Sequence, residues 1–578
     1  MIHARDHKTP YLIDPWDYLG PKRRKLLDGS WAGLFRVHIL SELPVHKIAS
    51  CYTEGFGRPT KEIYAALGAL ILQQMHDLTD EETVSQFSFN LQWHYALDIP
   101  GESDEAKYLC AKTLWTLRHL VAQKGLDREL FTATTETLAK AFGVDTSRQR
   151  IDSVHIRSNM RRLGRICIFS QSIHNFLVNL KRQRRLIFET IEKELIDRYL
   201  TEKALGCFSL VKPSEAVKTL EGVSRDLFSL VERFRDNRQV KSLNTFGALL
   251  RVLKDQCDLS ETGEMTVKAP KEIASSSLQN PSDPEAGYDA HKGQGYQVQV
   301  METYCASSDE SVKEKTLNLI THVEIEPAHV SDVHALIPAL ESTKERGLAP
   351  EEVLADSLYG SDENRQKAKE LDVEVISPVM GAPKEENLSL ADFPTQEGTI
   401  ATCPQGHVPV KVKRGKKNTM SVAFTSEHCD VCSLQDRCPV KPGRKHHYLR
   451  FTLKALRIAE RRARENTPEF KDKYRWRAGI ESTFSEMDKT TGIKRLRVRG
   501  LSAVGYCARL KAIGVNLFRA ARVKKALDAL RAAPGTALPG IGSIILIVKE
   551  HFLGQWHRLR NIFGPVTENV PYAFSIAA

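Results

Sequence analysis

Nothing in this chain approaches the ~20 consecutive apolar residues of a membrane span. The longest apolar run, Ile544 to Val548, suits a strand or a short helix at most. A membrane-spanning protein is therefore not expected. The N-terminus, Met1-Ile2-His3-Ala4-Arg5-Asp6, has no apolar signal core, so a cytoplasmic location is expected. No internal repeat is found, which leaves solenoid and propeller arrays without support. Cysteines are few outside one cluster: seven of the eleven stand singly among apolar neighbours, as reduced core thiols would.

What is present is a 578-residue, 65.1 kDa chain, long enough for several domains. Its 41% hydrophobic and 27% charged residues are those of a globular protein. The net charge of +11 favours a polyanionic partner. Basic residues cluster at Lys181 to Arg185, Lys411 to Lys417, Arg461 to Arg464 and Lys494 to Arg499. Any single run reads better as a solvated helix face or loop, but two of these flank the segment that carries the strongest chemistry.

That segment is Tyr474-Arg475-Trp476-Arg477-Ala478-Gly479-Ile480-Glu481. Thr467-Pro468-Glu469 predicts the start of one long helix through it, and Gly492 predicts its end. At about 100° per residue, Tyr474, Arg477 and Glu481 share one face within about 60°. Such a face offers a carboxylate to a metal ion and a guanidinium and phenol to a phosphate. Upstream, Arg150-Ile151-Asp152-Ser153-Val154-His155-Ile156 alternates like a strand. Asp356 ends the apolar strand Val353-Leu354-Ala355, and sites in α/β sheets form at the carboxyl ends of strands. Taken singly, each aspartate reads as an end cap, Tyr474 as core and Arg477 as an exposed ion pair.

Around these lie several further blocks. Residues 60–125 read as helical: Thr60 precedes one helix, Thr79 and Glu82 form a capping box for another, and Ser103 caps a third running through Leu109, Leu114, Leu117 and Leu120. Gly57-Arg58-Pro59 breaks the chain before them. A helix-turn-helix reader and a plain bundle fit equally. Helical spacing returns over about 165–255, and 258–294 reads as a polar loop. Strands at Gly295 to Val300 and Leu319 to Ile325 then lead into strand–helix alternation, an α/β order.

Between them and the Glu481 helix stand Cys403, Cys429, Cys432 and Cys438. Four soft thiolates suit tetrahedral zinc in a closed structural site, with His407 and His428 as substitute ligands. The alternative is four core cysteines. The polar stretch Lys411 to Asn418 makes burial of free thiols the poorer reading.

Together these segments resemble a DDE transposase of bacterial insertion sequences, of the type whose last acid lies in a Tyr-x-x-Arg-x-x-x-Glu-x-x-x-x-x-x-Lys helix. The similarity extends to the insertion-sequence group numbered eleven-eighty-two. It is carried by Arg150 to Ile156, Asp283-Pro284-Glu285-Ala286 with Gly295-Tyr296, Ala355-Asp356 with Tyr359-Gly360, and Gly57 to Pro100.

The resemblance implies an α/β fold with an RNase H-like core (146–160, 258–380 and 447–530), preceded by an all-α DNA-binding domain (1–145). A helical insertion (161–257), a cysteine-rich zinc insertion (381–446) and a C-terminal tail (531–578) complete the layout. It implies that Asp152, Asp356 and Glu481 hold two Mg²⁺ ions, with Mn²⁺ able to substitute, and that Tyr474, Arg477 and Lys489 contact DNA. Double-stranded DNA at terminal inverted repeats and at a target is the implied partner, engaged by a homodimer at the nucleoid.

One departure stands out. Asp488, not lysine, is seven residues after Glu481, and Lys489 follows. There is no tryptophan between Asp356 and Tyr474 to act as a base-flipping platform, and Trp476, about 140° from Glu481, reads as core. Hairpin chemistry is unsupported. Two rivals use the same residues: an RNase H-like nuclease or resolvase, and a catalytically silent, transposase-derived zinc DNA-binding protein.

Overall fold

The computed structural model describes residues 2–532 except 53–58, 202–207, 209–210, 262, 382–386 and 397, with the backbone alone described at 417 and 532. Gly57 and Arg58, and the tail beyond 532, lie outside the described residues. The architecture is mixed α/β. Among the described residues no helix is long and apolar enough to cross a membrane.

The N-terminal region is helical, with α1 (Ile63–Met75), α2 (Asp80–Phe89), α3 (Ala111–Gln123) and α4 (Leu126–Phe142). The Thr79–Glu82 capping box is present. The other two starts differ from expectation. Glu62, not Thr60, caps α1, its carboxylate accepting from the Tyr64 and Ala65 amides, while the Thr60 hydroxyl accepts from His3 N. Ser103 caps only the short helix Asp104–Lys107. The chain then extends at Tyr108 to bury Leu109 before α3 begins.

The central sheet has six strands. They are β1 (Arg148–Arg157), β2 (Gly287–Asp289), β3 (Gly293–Thr303), β4 (Ile320–Pro327), β5 (Glu352–Ala355) and β6 (Glu374–Ile376). The order is β4-β3-β1-β5-β6, with β2 pairing the start of β3. β3 runs antiparallel to β1 and β4, whereas β5 and β6 run parallel to β1. The stretch 258–294 is not purely loop: Cys257–Leu259 pairs with Met265–Val267, and β2 closes it.

One face of the sheet, with Ile151, Met301, Val353 and Ala355, packs on α5 (Leu336–Glu345). The other face presents Val154, Ile156, Val298 and Val300 to a larger core. That core contains Ile480, Phe484 and Met487 of α6 (Gly479–Thr491), the long α7 (Leu501–Ala532), and the N-terminal helices. The N-terminal helices and the sheet thus share one continuous interior. Lys511 of α7, 1% exposed, adds a polar tie: its Nζ donates to Asp77 Oδ1 (2.8 Å), in the α1–α2 turn, and to the last-turn carbonyl of Thr491 in α6. The block after β1 has a separate core around Phe169, Phe176, Leu227 and Phe246, and the cysteine-bearing block another around Phe393, Val422, Phe424 and Leu449.

The predicted single helix from Thr467 is in fact three pieces: Pro468–Tyr474, a tight 3-10 turn Arg475–Ala478, and α6. The reason is visible at Arg150. Its Nη1 donates to the Trp476 carbonyl (2.7 Å), and a Cβ on Gly479 would stand 2.0 Å from that nitrogen. The guanidinium therefore occupies the space that a regular helix with side chains would fill.

Arg150 belongs to a buried cluster. Glu302, its cross-strand partner in β3, is 0% exposed. Its carboxylate accepts from Arg150 Nε (2.8 Å), Arg519 Nη1 (2.8 Å) and Thr483 Oγ1 (2.8 and 2.9 Å). Burial alone would raise the Glu302 pKa, but Arg519, Arg150 and these hydrogen bonds hold it below the usual carboxylate range. The cluster joins β1, β3, α6 and α7. Removing one partner of a buried ion pair leaves uncompensated charge, typically at about 3–5 kcal/mol. Glu302→Ala is expected to cost that much, read as lost amide hydrogen-exchange protection along α6; unchanged protection there would refute the role.

Candidate active site

β1 and β5 are parallel, and Ile151 is the register partner of Ala355. Asp152 and Asp356 each stand one residue further on, on adjacent strands that lie about 4.8 Å apart. Ile151 and Ala355 point into the α5 layer, so by strand alternation Asp152 faces the layer containing α6. Leu354, with Tyr304 and Ile376, packs beneath Phe470, Tyr474 and Trp476.

Glu481 lies in the first turn of α6, where a carboxylate suits the helix dipole. Arg477, in the 3-10 turn, sits between the acids: Nη2 donates to Asp152 Oδ2, and Nη1 is 3.8 Å from Glu481 Oε1. Arg477 Nε is buried without a hydrogen-bond partner among the described residues. Asp152 is buried, and burial pushes its carboxyl up to about 6. Arg477 and the Ser153 amide pull the other way, while the charges of Glu481 and Asp356 add to the rise. Tyr474 stacks on Phe470 (5.5 Å between rings), and its hydroxyl is raised by burial and by Asp356 and Asp152, with Arg477 opposing.

The expected acids and their two helical companions are thus electrostatic neighbours. They do not converge on one point. Among the described residues no three His, Cys, Asp or Glu side chains stand together as a metal-holding group. Like-charged oxygens repel, and Asp152 takes Arg477 as its counter-charge. Asp356 accepts from the Ser357 amide, and Glu481 leaves 64% of its side chain in solvent. Lys489 is exposed. Asp488, at the position where a lysine was expected, accepts from Lys494 N (3.3 Å) and lies 3.9 Å from Lys494 Nζ. Trp476 is half-buried, with Arg475 stacked over it at 4.6 Å.

Cys403, Cys429, Cys432 and Cys438 line one small cavity of about 40 Å³, together with His407, His428 and His447. The cavity gathers the thiols, yet their geometry falls short of a formed metal cluster. Burial, then the neighbouring Cys438, Cys403 and Cys432, push the Cys429 thiol up to about 11. His407 and His428 stack at 4.2 Å, and His447 Nε2 is 3.1 Å from Asp430 Oδ1. Of the other described cysteines, Cys257 and Cys507 are buried, Cys51 is exposed and Cys110, Cys167 and Cys305 are half-buried. Most of the scattered thiols are therefore not core residues.

The support beneath the site was not anticipated. The sequence assigns no supporting role to Arg150, Glu302, Thr483 or Arg519. The available signal was a charged residue at Arg150 and another at Glu302, each interrupting the apolar alternation of a central strand.

Residues 402–521 match the family model described as a transposase DDE domain, and residues 33–120 match a transposase domain (DUF772). A DDE-transposase domain and a second transposase domain are therefore present, as in transposases generally. The first match spans the cysteine block and Tyr474 to Lys489, and stops short of Asp152 and Asp356. Comparison with curated proteins and with solved structures gives no match.

Asp152 makes the metal-free protein pH-sensitive. Its folded pKa, about 6, lies above the ordinary value for an aspartate. The native state then binds more protons than the unfolded state in that window, so stability falls as pH rises from about 4 to 6, by about 3 kcal/mol in all. Asp152→Asn is expected to match wild type below about pH 4 and to melt higher above pH 6. Parallel melting profiles across this range would contradict that.

Proposed function

We propose that this chain is a Mg²⁺-dependent DNA transposase with an RNase H-like core, related to the eleven-eighty-two group of insertion sequences. The observation that carries the reading is the register: Asp152 and Asp356 abreast on parallel strands, with Arg477 linking Asp152 to Glu481. The strand order β4-β3-β1-β5-β6, with β3 alone reversed between β4 and β1, supports the RNase H-like assignment.

The three acids are hard oxygen donors, the donor type that Mg²⁺ takes. When bound, a metal pair neutralises charge on the attacking and leaving oxygens of a phosphodiester. The chain's own groups do the rest. Arg477, with its free Nε, holds a phosphate oxygen and gives up Asp152 as it does so. Tyr474 orients the same strand from its stack on Phe470, and the exposed Glu481 swings in from the start of α6. Element ends are cut by water, and the freed 3′-hydroxyl attacks target DNA. The helices of 1–145 recognise terminal inverted repeats, Lys489 contacts DNA beyond the site, and a homodimer at the nucleoid brings two ends together.

The four cysteines fit a structural zinc ion by donor chemistry and by lining one cavity. Such a site braces the block that precedes α6 and takes no part in bond breaking.

Oligonucleotides bearing the element ends test the reading with Mg²⁺ or Mn²⁺. Cleavage and strand joining are expected, with Asp356→Asn and Glu481→Gln each lowering the rate by about 10²–10³-fold, since a lost metal ligand removes several kcal/mol at 1.36 kcal/mol per decade. Cleavage without joining would identify a nuclease or resolvase. Binding without cleavage, indifferent to Asp356→Asn, would identify the silent DNA-binding protein, which the unconverged acids favour.

Metal analysis tests the cysteine site. About one zinc per chain is expected in purified protein, falling in Cys432→Ser. Less than about half a zinc per chain in the wild type would reject it.

A further inference from the structure

A second basic pocket lies beside the acids, on the β6 edge of the sheet. It occupies about 310 Å³. Its walls come from the helix Asp362–Glu370, from β6, from the helix Leu453–Glu465 and from Pro468–Tyr474. Four cationic side chains line it: Arg365, Arg461, Arg464 and Lys473. Glu374 and Glu469 also line it.

Two of the cations are matched. Lys473 Nζ is 2.5 Å from Glu352 Oε2, and Arg464 Nη2 is 3.8 Å from Glu374 Oε1. Arg365 and Arg461 have no carboxylate at salt-bridge distance among the described residues. Arg365 donates to the Val375 carbonyl (2.5 Å). Arg461 Nη2 reaches Ser377 O and Oγ only at 3.5 and 3.4 Å, and its Nε is buried with no partner. Burial and then the like charge of Arg365 hold the Arg461 guanidinium down to about 10, against the pull of Glu465 and Asp362. Two guanidiniums lining one pocket, neither offset by a carboxylate and one with an unused buried donor, form an arrangement that an anion relieves.

The surroundings restrict what that anion is. Gly360, four residues after Asp356, closes on Ser377 so tightly that a Cβ there would fall 1.6 Å from Ser377 Oγ and 3.3 Å from Arg461 Nη2. The loop leaving the second acid therefore packs against two residues that line the pocket. Phe470 lines the pocket and stacks on Tyr474, whose hydroxyl lies in the field of Asp356 and Asp152. The stacked pair links the pocket's wall to the surroundings of the acids.

We infer that this pocket binds a phosphodiester group of DNA, through Arg461 and Arg365, on the strand that continues past Tyr474. The DNA identity rests on the transposase reading; the anion site rests on the pocket itself.

The test uses the full chain as wild type, Arg461→Gln and Arg461→Lys, with two probes. Inorganic phosphate, against chloride at equal ionic strength, is expected to raise the melting temperature of wild type and not of Arg461→Gln. A labelled duplex of about 40 base pairs is expected to bind Arg461→Gln about 3- to 10-fold more weakly, with a log K against log salt slope shallower by about 1, while Arg461→Lys keeps the slope. Should Arg461→Gln not fold, Arg365→Gln, the other cation of the pair, is expected to show the same shallower slope. An unchanged slope and affinity, or an equal phosphate response in wild type and variant, overturns the site. A phosphate response without any duplex effect overturns the DNA assignment in favour of a free phosphate or phosphorylated small molecule. Strand cleavage enters none of these readouts, so a chain that binds through the pocket and never cuts DNA fails the transposase reading alone.

Discussion

The carboxylate of Glu302 is the constraint on which the site's geometry depends. It is fully buried, and two arginines and a threonine from three other elements close on it. A buried charge of this kind is costly unless every lone pair is matched, so the surrounding elements have little freedom to shift. Arg150 carries the constraint to the Trp476 carbonyl, Thr483 to the helix bearing Glu481, and Arg519 on to Glu486 (2.7 Å). The placement of Glu481 over the Asp152 strand is therefore set from beneath, by groups that touch no substrate.

This arrangement separates rigidity from reach. The backbone of β1, β5 and the start of α6 is fixed by pairing and by the Glu302 cluster, while the acid side chains remain apart. Asp152 is held by Arg477, and Glu481 extends into solvent. The elevated Asp152 pKa has the same origin: a carboxyl buried near two other carboxylates, with one guanidinium to offset them.

Much of this was legible in the sequence because it follows from local pattern. The strand around Asp152, the apolar strand ending at Asp356, the Thr79–Glu82 capping box and the Gly492 stop all rest on short-range rules and all are present. The break at Arg475–Ala478 was not legible, since it is caused by Arg150, more than three hundred residues earlier in the chain. The same holds for Glu302: its side chain reads as surface until the register of β1 and β3 places it opposite Arg150. Glu62 as the cap of α1 was missed because Thr60 is the better local candidate, and the Thr60 hydroxyl is instead engaged by the His3 amide. Long-range polar pairing leaves little trace in a single sequence, whereas apolar periodicity leaves a strong one.

The blocks after β1 and before α6 each enclose an interior of their own, but the N-terminal helices do not. They share theirs with the sheet and with α7, and Lys511 fastens their Asp77 turn to the far end of the Glu481 helix. With cores of their own, the first two can change in length or internal packing without disturbing the sheet. The N-terminal helices must instead change in step with the sheet and α7, so the substitutions they tolerate independently are confined to their outer face.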